Sequence, residues 1–297
     1  MKEQSASGSF SEAPPRVNEW KRFWRVFLQR KLVMIGLVIL LFIAICAVFA
    51  PVLAPHDPYR GNMREALAQP SMKYWLGTDI QGRDVLSRLI YGARTVLLVG
   101  FVTVGIAASL GIVLGIIAGF YGGVINLIIM RIMDALMGFP MILLALMIAA
   151  ILGGGIQNVI IALSVATIPG YCRVMCGMTL AIRENDYILA QKALGSNNSR
   201  IIFQHILPNS LPPMIVLITL QLGSLILAEA GLSFLGIGIK PPGAAWGAMV
   251  SDGYGYLMTN PVLSFAPGLA IMLAVFGFNL VGDGLRDALD PRLRGLL

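Results

Sequence analysis

Long apolar runs separated by short polar stretches set the pattern of this chain. Runs at 32–54, 95–120, 126–151, 158–180, 211–232 and 262–281 each approach or exceed the length needed to cross a bilayer. A helix needs about 20 apolar residues to span a hydrocarbon core about 30 Å thick. The pattern therefore predicts an all-α polytopic membrane protein with six transmembrane helices. Ahead of the first run, Trp20, Phe23, Trp24, Phe27 and Leu28 recur on one helical face, with Lys21, Arg22, Arg25, Arg30 and Lys31 between them. That is the signature of an interfacial helix on an anionic leaflet, and it sets the amino terminus on the cytoplasmic side. Residues 1–15, rich in Ser, Glu and Pro, read as a disordered tail, and the first apolar run is too long and too far in for a cleavable signal.

The expected organisation is a tail and amphipathic helix at 1–31, a first span at 32–54 and an extracytoplasmic segment at 55–94. A membrane core follows at 95–285, and a cytoplasmic tail at 286–297. The 55–94 segment carries six basic residues, against the positive-inside bias; the basic amino terminus and the number of later spans outweigh it. Gly111, Gly115 and Gly119 form a small-residue stripe suited to close helix approach. Arg131 and Asp134 are three apart and spaced to pair. Pro169 and Gly170 interrupt the fourth run, either as a structural kink or as part of a pathway. Gln221 and Glu229 in the fifth run are further pathway candidates, and Glu229 is expected to face a cavity, a partner or the outer interface. Residues 233–261, rich in Gly, Pro and aromatics, read as an outer cap or re-entrant loop.

Between the fourth and fifth runs lies a polar island, 183–208. It reads as two short helices with a break at Gly195, Ser196, Asn197 and Asn198. Tyr187, Ala190, Ala193 and Leu194 would form a modest apolar face, while Gln191, Lys192 and Arg200 stay wet. Such a projection is either a docking element for a soluble partner or an ordinary loop.

Composition narrows the class. Hydrophobic residues make up 57% and charged residues 12%, which excludes a soluble globular domain. The net charge of +7 gathers beside the apolar runs, so positive-inside placement accounts for it and no nucleic-acid partner is implied. Cys46, Cys172 and Cys176 sit in apolar runs and read as packing thiols rather than a metal site or disulfide framework. No Walker A loop is present, since none of the six lysines follows a glycine. The two histidines, His56 and His205, are far apart and fall on opposite faces of the expected topology, and no His-Glu-x-x-His or Gly-x-Ser-x-Gly motif occurs, so no catalytic residue is assigned. An ion-coupled secondary transporter needs ionisable groups near the midplane, whereas Arg131, Asp134, Arg173, Glu229 and Asp283 are expected toward span ends. A structural subunit with no pathway of its own is a third reading.

Ordered motifs carry a family resemblance. Ala190, Gly195 and Leu207-Pro208 resemble the spacing of the "EAA" loop of permease subunits in binding-protein-dependent ABC importers, with Leu189, Gln191 and His205 at positions where that loop usually has Glu, Ala and Ile. Leu76-Gly-Thr-Asp79, Gly82-Arg-Asp-Val-Leu-Ser-Arg88, Tyr91-Gly-Ala-Arg94, His205-Ile-Leu-Pro-Asn209 and Gly282-Asp-Gly-Leu-Arg-Asp-Ala-Leu-Asp-Pro291 place the chain closest to the dipeptide, oligopeptide and nickel branch, and there to the C-type subunit of dipeptide importers. The resemblance implies a type I importer permease fold, a five-helix core preceded by an extra helix, in a prokaryotic plasma membrane with both termini cytoplasmic. It implies a homologous second permease, two ATP-binding subunits and an extracytoplasmic substrate-binding protein as partners. It implies no cofactor on this chain, with ATP and Mg in the partner ATPases. It further implies peptide cargo, with nickel, glutathione or other small solutes as alternatives. Glu184, Asp186, Tyr187, Ala190, Ala193, Leu194, Gly195, His205, Leu207 and Pro208 would then couple to the ATPases.

Overall fold

The computed structural model describes residues 19–289. The expected tail at 1–15, residues 290–297 of the tail expected at 286–297, and the side chains of 19–22 lie outside the described residues.

Helix α1, Glu19–Gln29, carries the aromatic face, with Phe23 and Phe27 stacked at 5.7 Å. Then come α2, Lys31–Val48, and the single turn α3, Ala50–Leu53. Helix α4 runs Val85–Tyr121 and so begins ten residues before the expected span at 95–120. Asp84 explains the early start: its carboxylate accepts from the Ser87 N–H at 2.9 Å and the Ser87 hydroxyl at 2.5 Å, capping the first turn.

The expected single span at 126–151 is instead two helices, α5, Gly123–Met137, and α6, Met141–Leu152, bent by 89°. Pro140 lacks a backbone N–H and steers Phe139 out of helical geometry, and Gly138 adds flexibility at the corner. Conversely, α7, Ile156–Arg183, runs unbroken through Pro169 and Gly170. The Thr167 hydroxyl donates to the Leu163 and Ser164 carbonyls at 2.8 and 3.2 Å in the turn before the proline.

After α8, Asp186–Ala193, the chain breaks and restarts as α9, Asn198–Ile201. It passes through a π-helical turn, Ile202–Ile206, directly into α10, Leu207–Phe234. The fifth crossing helix thus covers 198–234 rather than 211–232. The widened turn lies immediately ahead of Pro208, where a regular ladder would lose a donor. The expected cap loop at 233–261 contains α11, Trp246–Tyr254, and α12 runs Val262–Leu289. Among the described residues, five helices are long and apolar enough to cross a membrane, six if the bent pair α5–α6 counts as one.

Three seams fix the bundle. Helices α4 and α7 run parallel: Gly111 faces Tyr171, Gly115 faces Cys172 and Met175, and Gly119 faces Thr179. A Cβ added at any of these glycines would sit within 2.6 Å of the neighbouring helix, so only glycine permits the approach. Helices α10 and α12 run antiparallel, with Gly223 beside Asn279 and Gly282 beside Leu220. That pairing brings the end of α12 to the start of α10, beside the polar island. Arg30 pairs with Asp287, and Gly284 packs on Val33 and Phe27, so the α1–α2 junction lies at that same end.

The far end is stitched by buried charge. Asp79 receives Arg83 at 2.6 Å and Arg88 at 3.4 Å, and all three are buried. Arg88 also donates to the Pro58, Pro242 and Gly243 carbonyls, at 3.2, 3.4 and 3.4 Å. Arg83 lies 3.9 Å from Asp252 of α11, and Trp246 donates its indole N–H to the Leu89 carbonyl at 2.9 Å. Burial pushes the Asp252 carboxyl up from its ordinary value, against the pull of Arg83 and Arg88. The 55–84 segment is therefore clasped to the 241–252 region.

Candidate functional site: the polar island

The island is bolted on one face and bare on the other. Ile188, Ile201 and Ile206 are fully buried and pack in a cluster with Ile116, Phe120, Tyr171, Met175 and Met214. Arg183 adds a polar strut: its guanidinium donates to the Gly119 and Phe120 carbonyls at 3.1 and 3.0 Å, and it pairs with Glu184 at 3.0 Å. Those carbonyls end α4, where a cation meets the negative pole of the helix. Neither the isoleucines nor Arg183 was singled out from sequence; a period of burial shared with distant helices is not visible in so short a stretch.

The break after α8 closes as a Schellman turn. The Gly195 N–H bonds to the Lys192 carbonyl and the Ser196 N–H to the Gln191 carbonyl, both at 3.0 Å. Gly195 sits at φ +78°, a left-handed conformation that favours glycine. Asn197 then caps the restart by accepting from the Ser199 N–H at 3.4 Å. The expected break at 195–198 thus has a concrete geometry.

On the bare face, Tyr187, Ala190, Ala193 and Leu194 are all exposed, Leu194 at 81%. Leu189 and Phe203, the latter 67% exposed, are further bare apolar side chains of the island that were not anticipated. Glu184 and Asp186 lie at its rim, Asp186 in the first turn of α8 where the helix dipole favours it. His205 is half-buried with its ring 6.0 Å from that of Tyr187. Leu207 packs against the isoleucine cluster and Pro208 is exposed. Both lie in the first turn of α10, where the chain leaves the island for the crossing helix.

Of the pathway candidates, Pro169 is buried in α7, and Gly170 and Gln221 are half-buried. Glu229 is 1% exposed and accepts from the Ser233 hydroxyl at 2.7 Å, so it is turned into the fold rather than onto the outer surface, and its second carboxylate oxygen is buried without a hydrogen-bond partner. The expected Arg131–Asp134 pair is also replaced: Asp134 pairs with Arg173 of α7. Cys172 and Cys176 are buried free thiols.

Comparison with known proteins places this arrangement. Residues 111–295 match the family described as the inner membrane component of binding-protein-dependent transport systems, and residues 18–70 match the N-terminal transmembrane domain of oligopeptide transport permease C. The chain is 44% identical over 278 residues to the dipeptide transport system permease protein DppC of Alkalihalophilus pseudofirmus, covering 94% of this chain and 91% of that protein. It is 42% identical over 277 residues to the glutathione transport system permease protein GsiD of Pectobacterium atrosepticum, covering 93% and 92%. Among solved structures, a chain from inward-facing conformations of the MetNI methionine ABC transporter superposes with a TM-score of 0.57 at 22% identity. It covers 68% of this chain and 97% of that one, a likeness of fold.

Proposed function

The chain belongs to the inner-membrane permease components of binding-protein-dependent transport systems, and from that premise we propose that it forms, with a homologous second permease, the membrane pathway for short peptides. It is a multi-pass permease of an ABC importer with the type I fold. Dipeptides are the leading cargo, supported by the 44% identity to a dipeptide permease. Glutathione, itself a short peptide, is the second reading, supported by the 42% identity to a glutathione permease. Uptake of labelled dipeptide against excess glutathione, and the reverse, separates the two.

The island at 183–208 is the coupling element, and its bare apolar face carries that reading. Two ATP-binding subunits, holding ATP and Mg, dock there from the cytoplasm; a substrate-binding protein delivers cargo at the far end, and both termini face the cytoplasm. ATP closes the ATPase pair, the island moves with it, and the buried isoleucines and the Arg183 strut transmit the motion to α4 and α7. ATP and the loaded binding protein must each favour one state differentially, or neither shifts the equilibrium. Gly195→Asp is expected to abolish uptake while the protein remains in the membrane, because it strains the turn and sets a charge in the docking face. Normal uptake by that variant overturns the coupling role.

A further inference from the structure

The Arg173–Asp134 pair is in the wrong place for an ordinary surface salt bridge. Helix α7 spans Ile156–Arg183, so Arg173 lies ten residues, about 15 Å, from its island end. Asp134 lies eleven residues, about 16 Å, from the start of α5 at Gly123, which begins at the same end. Counted from the inner ends of the apolar runs 158–180 and 126–151, Arg173 lies seven residues and Asp134 eight residues in, about 10–12 Å, so both fall within the island-side half of a hydrocarbon core about 30 Å thick.

Yet the pair is not enclosed: the Arg173 and Asp134 side chains are 51% and 45% exposed. Facing lipid, two half-exposed charges at that depth are costly, and such groups instead face a bundle interior or a water-filled cavity. Two neighbouring features agree. The helix break between α5 and α6 lies a turn beyond Asp134, and its residues Gly138, Phe139 and Pro140 are all exposed. Broken backbone at membrane depth is tolerated where it is buried in protein or lines an aqueous cavity. Along α7, a Cβ added at Gly170 or Gly177, one turn either side of Arg173, would meet nothing within 4 Å.

We propose that Arg173 and Asp134 line the translocation pathway in the island-side half of the membrane and are its polar contact for a zwitterionic peptide. The cargo carboxylate would take the guanidinium and the cargo ammonium the Asp134 carboxylate, each replacing the other residue of the pair. The pair thus closes on itself when the pathway is empty and opens to a ligand carrying both charges. This assignment of ligand rests on the peptide reading above; the assignment to the pathway does not.

The test uses the complete complex in lipid nanodiscs, with Arg173→Cys and, separately, Gly177→Cys, which removes no charge. A membrane-impermeant charged thiol reagent measures water access, because the thiolate that reacts forms only in water. The wild-type complex, whose Cys172 and Cys176 are buried, is the baseline. Labelling at both positions at least about tenfold faster than baseline is expected, since only a hydrated thiol ionises. Baseline labelling at both positions would overturn the proposal. In parallel, Arg173→Leu with Asp134→Leu is compared with wild type for binding-protein-stimulated ATP hydrolysis and for peptide uptake. Retained hydrolysis with a large loss of uptake is expected; unchanged uptake would overturn the polar-contact role. If wild type itself fails to import peptides with its binding protein, the peptide reading fails, while the labelling result stands on its own.

Discussion

At the far end of the molecule, Asp79 holds Arg83 and Arg88 inside the chain, and Arg88 reaches on to carbonyls on both sides of the clasp. At the island end the arrangement is inverted. The charges Glu184, Asp186, Lys192 and Arg200 stand at the surface, the buried anchors are isoleucines, and Tyr187, Leu189 and Leu194 are bare. One end buries its charges against one another within the chain, and the other presents bare apolar surface. Exposed apolar surface of that kind, on the reading proposed above, marks an interaction site. A region that must be carried by a moving partner gains from a firm inner face and an unfilled outer one.

The contrast is broken most severely at Asp79. Asp79→Ala leaves two buried guanidinium groups without their carboxylate, and losing one partner of a buried pair costs about 3–5 kcal/mol. A large fall in the melting temperature of the purified complex is expected; unchanged melting would mean that the clasp contributes nothing. Next is Ile188→Ala, which empties a fully buried site and costs about 2–5 kcal/mol of island docking. Faster hydrogen exchange confined to 183–208, with the far end unaffected, checks it. Gly195→Asp follows, with about 1 kcal/mol of backbone strain, since a side chain disfavours the left-handed region. Its effect on uptake is expected to exceed its effect on melting by far. Smallest on stability is Leu194→Ala, within about 0.5 kcal/mol for so exposed a side chain. It is nevertheless expected to reduce ATP hydrolysis stimulated by the binding protein, a readout that Leu194 as plain surface would leave unchanged.

Much of this was legible in the residues, and the gaps have physical causes. Hydropathy marked the membrane runs because lipid imposes length and apolarity directly. It did not show the 89° corner at Gly138, Phe139 and Pro140, because a sum over residues is blind to direction, although the Gly and Pro were there to be read. The early start of α4 was hidden by Ser87 and Arg88, polar residues whose partners lie in the clasp; Asp84 with Ser87 three residues on was the available cap signal. The break at Gly195 was readable because glycine and asparagine mark a left-handed turn and a cap by local chemistry alone. Arg173 as the partner of Asp134 was not readable, since a nearer candidate, Arg131, stood at helical spacing and only the tertiary fold brings α7 beside α5. The same holds for Ile188, whose burial depends on α4 and α7.

The central claim is that the bare face of the island is where the ATP-binding subunits dock. A photo-reactive amino acid at Leu194, whose side chain is 81% exposed at the break of the island, tests this in the native membrane. A crosslink to a nucleotide-binding chain, altered in yield when ATP is trapped, is the predicted result. Crosslinks to lipid alone, or to an extracytoplasmic binding protein, would contradict it.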